Sequence, residues 1–218
     1  MKQKHSLYFQ KRSYKEENSK AEKGYSAVEA DLQDISLYRN LYQEFERAWR
    51  SQPVYGRTLT TQRTRAVLES IEQHKRQDFN ETEHLANNLT IEHIMPSNWI
   101  KNWPLPNGER PTEEQIEQAK YPNANGDQEA IVGQITRREG LLNTFGNLTL
   151  LTQPLNSKIS NGSYRLKREA LAKHSLLVLN REIVEHEEWG EEQIEQRGRE
   201  LFKVACEIWP YPTMNTDS

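Results

Sequence analysis

The sequence predicts an α+β fold that is mostly α-helical, with a ββα finger embedded among the helices. Apolar residues recur every three or four positions through much of the chain, which is typical of amphipathic helices. Two segments, NNLTIEHIMP at 87–96 and FGNLTLLT at 145–152, instead combine β-branched residues with turn signals, as strands do. A turn-rich loop and a helical segment follow the second strand, which gives the order of a ββα finger.

The composition limits the class of protein. The chain has 218 residues, of which 34% are hydrophobic, and a net charge of −3, so its length suits one domain or one domain with an appendage. Neither a membrane span nor a signal peptide is visible, and we expect a cytoplasmic protein without membrane contact. The single Cys206 excludes an internal disulfide and a multi-cysteine zinc site. Any contact with nucleic acid must be local, because the overall charge is close to neutral.

The N-terminal part of the chain predicts helices. Residues 1–25 are rich in Lys, Glu, Ser and Gln and predict a flexible segment. An amphipathic helix is expected over residues 26–52, where Pro53 ends it, and a second one over residues 61–76. Together they predict a helical lobe over residues 26–86, or a linker to an N-terminal domain outside this chain.

The two strands are separated by a long insertion at residues 97–140. Its segments TEEQIEQAK and QEAIVGQITRRE predict two short helices between Pro, Gly and Asn turn signals. We interpret the insertion as a lid or a substrate-reading loop. Its tryptophans, Trp99 and Trp103, either stack on a nucleobase or anchor the loop to the core.

The segments after the second strand predict a loop and three helices. QPLNSKISNGS at 153–163 is turn-rich, and Ser163 is a candidate N-cap for the helix YRLKREALAKH. Residues 176–210 predict two more helices, and residues 211–218 predict a flexible tail.

Three short motifs fall at the ends of these elements. Glu92 and His93 precede Pro96 at the end of the first strand, Asn147 opens the second strand, and Asn156 lies in the loop that follows. In this order they resemble the His-Asn-His or His-Asn-Asn signature of HNH nucleases, whose ββα-metal finger binds one metal ion. The resemblance implies an HNH nuclease domain over residues 87–210.

Further motifs resemble one family more closely, the C-terminal nuclease domain of GmrSD-type modification-dependent restriction enzymes. These motifs are Tyr164-x-x-Lys167, Leu-Asn-Arg at 179–181, Trp189 with Ile194 and Arg197, and Ile208-Trp209-Pro210. The resemblance implies a metal-dependent DNA endonuclease or nickase of an anti-phage restriction system, acting on phage or modified DNA. Such domains usually work beside a ParB-like nucleotidase domain that hydrolyses NTP and senses modified DNA.

The chain itself carries no P-loop or comparable phosphate cradle. We therefore expect it to be the C-terminal part of a longer protein or a separately encoded nuclease subunit. Cleavage of both DNA strands by a single finger would favour a homodimer.

The motif residues match the chemistry of phosphodiester hydrolysis. His93, with an ordinary pKa near 6.5, can accept a proton from water as a general base. The Glu92 carboxylate and the Asn156 amide oxygen suit Mg²⁺ or Mn²⁺ better than Zn²⁺. By resemblance, Asn147 holds the finger's loop through hydrogen bonds to the backbone. Neighbours on a regular strand point to opposite faces, so Glu92 and His93 can share a site only where the strand breaks before Pro96.

A local basic patch between residues 136 and 173 predicts the DNA contacts. We expect Lys158 and Lys167 nearest the scissile phosphate, whereas the glutamates of the last helices face away from DNA. The complete set of predicted DNA or phosphate contacts is Lys158, Asn161, Arg165, Lys167 and Arg168.

Each of these assignments has a simpler alternative. His93 could be an ordinary half-buried histidine, Asn147 could cap a turn, and Asn161 could replace Asn156 as the metal ligand. The basic run could be a solvated helix face. The whole chain could be a non-catalytic DNA-binding or inter-domain docking module, or a purely helical interaction domain.

Overall fold

The structure is a computed structural model that describes residues 40–77, 88–121 and 131–210. The chain divides into two compact units, Met1–Glu44 and Phe45–Ser218, and only residues 40–44 of the first are described. The described part of the helix predicted over residues 26–52 is α1, residues 40–51, which ends before Pro53 as expected; residues 26–39 lie outside the described residues. The segments predicted as flexible, 1–25 and 211–218, lie outside the described residues.

Helices dominate the described residues, which confirms the mostly α-helical α+β prediction. The strands are β1 (Leu89–His93) and β2 (Leu148–Thr152), with a 3-10 turn at Phe145–Asn147. The remaining helices are α2 (Thr61–Gln77), α3 (Glu113–Ala119), α4 (Ile131–Leu141), α5 (Gln153–Ile159), α6 (Tyr164–His174), α7 (Val178–Glu185) and α8 (Glu191–Ile208). In this described part of the chain, no helix is long and apolar enough to cross a membrane.

The two strands form an antiparallel pair that lies between two hydrophobic clusters. Its register runs from Leu89 opposite Thr152 to His93 opposite Leu148. Leu89, Ile91 and Leu150 point to the cluster built by α1, α2, α7 and α8. Leu151 points the other way, into the cluster built by the insertion, α5 and α6. Because both faces are covered, the first four residues of β2 are buried, and three of these four are leucines.

The segment after β2 is the helix α5, so the prediction of a loop over 153–163 is wrong for its first seven residues. The helix follows β2 directly, and Pro154 lies in its first turn, where a missing N–H costs no hydrogen bond. Leu155 and Ile159 are buried in the core. Their burial offsets the weak helix propensity of the Asn and Ser residues between them. The predicted helix after Ser163 is α6, the next element along the chain.

The described residues of the insertion contribute to the hydrophobic core. Its predicted short helices are α3 and α4. Trp99 and Trp103 are buried, and their indole N–H groups donate to Glu139 Oε1 (2.7 Å) and to the Gly162 carbonyl (3.1 Å). The anchoring role is therefore confirmed. Base stacking is contradicted, because neither ring is accessible.

Helix α8 fixes the turn that precedes β2. The buried Arg197 donates from Nη1 to the carbonyls of Phe145, Gly146 and Leu148, at 3.2, 2.9 and 2.8 Å. A Cβ atom on Gly146 would lie 2.0 Å from the Ile194 carbonyl oxygen, so only glycine permits this approach. The turn and the start of β2 are thus held against α8 by the Arg197 side chain and by the close approach of the two backbones at Gly146.

Candidate functional site

The predicted site residues gather around β1, but on its two opposite faces. Thr90 and Glu92 point toward α5 and α6, whereas His93 points toward Tyr55 and Asn143. Glu92 and His93 both pair regularly with β2, opposite Thr149 and Leu148. The strand therefore does not break where the sequence analysis required it to, and the carboxylate and the imidazole leave β1 on different faces.

A buried lysine binds Glu92. Lys167 Nζ lies 2.6 Å from Glu92 Oε1 and 2.5 Å from the His93 carbonyl oxygen. The Lys167 side chain is 1% exposed and the Glu92 side chain 14%. Burial lowers the pKa of Lys167, although the Glu92 charge and hydrogen bond oppose this shift. Lys167 was expected beside the scissile phosphate; the structure places its ammonium inside the domain, because its position on α6 lies on the buried face.

Asn156 lies on the same side of β1 as Glu92. Its Nδ2 donates to Thr90 Oγ1 (3.0 Å), and Thr90 shares a strand face with Glu92. Over the described ranges, Asn156 Oδ1 and Glu92 Oε2 make no hydrogen bond or ion pair, and neither is a buried unpaired atom. This side of the strand therefore offers one carboxylate oxygen and one amide oxygen.

No group of three or more His, Cys, Asp or Glu residues converges to hold a metal among residues 40–77, 88–121 and 131–210. Within these ranges, a bound cation would therefore contact at most two such groups, and amide, hydroxyl or water oxygens would complete its ligand set. Glu92 with Asn156 is such a combination, and Mg²⁺ is commonly bound by one or two side chains while it keeps several waters.

His93 is held in one orientation at the end of β1. Its Nε2 lies 2.9 Å from Asn143 Oδ1, and its ring meets the Tyr55 ring edge-on at 5.4 Å between centroids. An amide oxygen can only accept, so Nε2 carries the proton and Nδ1 of the neutral ring is left as the basic nitrogen. Burial lowers the pKa of His93 below its ordinary value; the Asn143 hydrogen bond and Glu92 raise it less, and Lys167 adds to the lowering. The imidazole is therefore neutral at pH 7.

The sequence analysis did not identify Asn143. Its backbone carbonyl accepts from the N–H groups of Val54 (2.9 Å) and Tyr55 (3.3 Å). Through its side chain and backbone, Asn143 joins the segment after α1 to His93. No local pattern in the sequence identifies Asn143, because the residues that it contacts, His93 and Tyr55, are distant from it along the chain.

Asn147 makes the hydrogen bonds to the backbone that the resemblance implies. It is fully buried. Its Oδ1 accepts from the Met95 N–H (2.8 Å), and its Nδ2 donates to the carbonyls of Met95 (2.8 Å) and Leu142 (2.9 Å). The indole of Trp189 also donates to Oδ1 at 3.4 Å. Asn147 thus fixes the turn that directly follows His93.

The predicted DNA contacts divide into exposed and internal residues. Lys158, Asn161 and Arg165 are exposed, and Arg165 makes a long ion pair with Glu169 (3.6 Å). Arg168 is half-buried and donates from Nε to the Val184 carbonyl (2.8 Å). Another member of the basic patch, Arg138, is buried against Glu191. The exposed part of the patch is therefore smaller than the sequence suggests.

Comparison with protein families decides what kind of domain this is. The family model for the C-terminal domain of GmrSD restriction endonucleases matches residues 41–204. The chain belongs to this family. The matched range runs from α1 into α8, and it contains every predicted site residue of this GmrSD C-terminal domain. Comparisons with curated proteins and with solved structures gave no match.

Proposed function

We propose that this GmrSD C-terminal domain hydrolyses DNA phosphodiester bonds, with His93 as the general base. The observation that carries the proposal is the fixed, neutral imidazole at the end of β1, whose Nε2 donates to Asn143. Its Nδ1 can accept a proton from an attacking water. Asn147 supports this role because it holds the backbone turn at Met95, two residues further on.

We further propose that the reaction depends on Mg²⁺ or Mn²⁺. Glu92 and Asn156 would hold the ion. Among the described residues, Glu92 Oε2 and Asn156 Oδ1 have no protein partner, so each side chain can offer one oxygen. Both are hard oxygen ligands, as these cations prefer. The ion would lie on the face of β1 opposite His93, where its positive charge would bind a phosphate of the DNA backbone.

The exposed residues Lys158, Asn161 and Arg165 are the proposed contacts with the DNA backbone. Their side chains are accessible: Lys158 brings positive charge to the end of α5, Arg165 brings it to the start of α6, and Asn161 lies between the two helices. Lys167 and Arg168 instead serve inside the domain, through Glu92 and the carbonyl of Val184.

The proposed biological setting is the restriction of phage DNA in the cytoplasm. A ParB-like NTPase domain or subunit would select modified DNA, and this domain would cut it. A homodimer would allow cleavage of both strands, whereas a single copy would act as a nickase.

Nicking of supercoiled plasmid tests the proposal. The wild-type chain, His93→Ala and His174→Ala are assayed with Mg²⁺, Mn²⁺ or EDTA; His174 is exposed at the end of α6. We expect cleavage that needs metal, falls by about 10²–10⁴-fold in His93→Ala and is unchanged in His174→Ala. Metal-independent cleavage, or full activity of His93→Ala, would contradict the proposal.

The position of Glu92 favours a second candidate, a DNA-binding or inter-domain docking module that does not cut. Glu92 is bound to Lys167, and its carboxylate faces away from His93. Such a module would shift DNA in a gel equally well with EDTA, with magnesium and after His93→Ala. It would nick neither plain nor modified DNA.

A further inference from the structure

The ion pair between Lys167 and Glu92 is built into the domain and does not lie on its surface. Lys167 shares the buried face of α6 with Tyr164 and Leu171. Its ammonium is held by two acceptors on β1, Glu92 Oε1 and the His93 carbonyl. A lysine buried with two short hydrogen bonds has little freedom to move away, since its ammonium would lose both acceptors.

This contact changes what Glu92 can offer to a cation. With Oε1 bound to the ammonium, only Oε2 is left, so Glu92 can supply one oxygen and not two. Ca²⁺ takes six to eight oxygen ligands and often binds a carboxylate through both oxygens, whereas Mg²⁺ takes six and keeps several waters. A one-oxygen carboxylate therefore disfavours Ca²⁺ more than the smaller cations.

Resting on the proposed metal role of Glu92, we propose that Lys167 is a positioning residue that restricts Glu92 to one oxygen and thereby selects Mg²⁺ or Mn²⁺ over Ca²⁺. The lysine contacts neither water nor phosphate in this role. Its positive charge also weakens the binding of every cation, and the restriction to one oxygen adds a penalty specific to Ca²⁺.

Metal binding, measured by calorimetry on the full chain, tests this inference without reference to cleavage. Dissociation constants for Ca²⁺ and Mn²⁺ are compared in wild type, Lys167→Gln, Lys167→Met and the control Lys173→Gln, an exposed lysine of the same helix. We expect the ratio of the Ca²⁺ to the Mn²⁺ constant to fall at least fivefold in the Lys167 variants and to stay unchanged in the control. A smaller fall in variants with native circular dichroism overturns the inference.

A second measurement needs no change at Lys167. In wild type, Mn²⁺ bound to the protein is followed by electron paramagnetic resonance while Ca²⁺ is added. Retention of bound Mn²⁺ at tenfold excess of Ca²⁺ is expected, and displacement at equal concentrations overturns the inference.

Glu92→Gln separates this inference from the proposal on which it rests. If Glu92→Gln binds Mn²⁺ as wild type does, the metal role of Glu92 is wrong and the selection by Lys167 fails with it. If Glu92→Gln loses Mn²⁺ but the Lys167 variants keep the wild-type ratio, the metal site stands and the inference alone fails.

Discussion

Replacing Asn147 by alanine removes the side chain that fixes the turn after His93. Three backbone groups lose a hydrogen-bond partner: the N–H and carbonyl of Met95 and the carbonyl of Leu142. All three belong to buried residues. A buried polar group left without a partner costs about 1–3 kcal/mol.

The expected loss of unfolding free energy is about 3–5 kcal/mol, the lower part of the summed range, because water can enter the space that the amide leaves and satisfy some of these groups. That is a large fraction of the 5–15 kcal/mol of a typical domain. Asn161→Ala is the matched control, since Asn161 is exposed and should change stability by less than about 0.5 kcal/mol.

Urea unfolding followed by circular dichroism measures both variants, with the slope of the transition checked for two-state behaviour. A loss below about 1 kcal/mol in Asn147→Ala would refute the reasoning. It would mean that the three backbone groups find other partners at little cost.

Three further predictions concern the turn and the imidazole. Gly146→Ala should lower the urea midpoint strongly, because the new Cβ would lie 2.0 Å from the Ile194 carbonyl oxygen. The control Gly140→Ala has open space around it in α4 and should be neutral or stabilising by up to about 1 kcal/mol. Equal midpoints for the two variants would contradict this prediction. Asn143→Ala should lower the pKa of His93 further, because the lost hydrogen bond raises it; an NMR titration that shows an unchanged or higher pKa would count against this. The pKa of His93 is lower in the folded state than its ordinary value of about 6.5 in the unfolded state. As the pH falls below about 6.5, the unfolded state therefore binds more protons than the folded state. The corresponding stability is fully present above that pH and is lost as the pH falls, so His93→Gln should weaken the acid dependence of the urea midpoint, and an identical dependence would speak against this assignment.

Local patterns were sufficient to predict most elements of the fold. The alternation around Leu89 and Ile91 predicted β1, and the periodicity and bounding prolines predicted the helices. The loop predicted over α5 is the exception. Its Asn and Ser residues are typical of turns, and only the burial of Leu155 and Ile159 in the folded protein makes the segment helical.

The environment of the site was harder to predict than the residue types in it. Lys167 follows Tyr164 by three positions and precedes Leu171 by four, so it lies on the buried stripe of α6. That spacing could have indicated an internal lysine. Its contact with Glu92 joins residues 75 positions apart, and no local pattern can predict such a pair.

The wide separation of β1 and β2 along the chain has a consequence for the order of folding. Thr90 and Leu151 lie opposite each other in the sheet but are 61 residues apart in sequence. Closing so long a loop costs more entropy than closing a tight hairpin, and pairing of distant strands slows folding. The insertion would shorten this search if α3, α4 and the two buried tryptophans packed together first. We therefore expect the β1–β2 pair to acquire protection from amide exchange only after the insertion has packed, so β1 would be among the last elements to form.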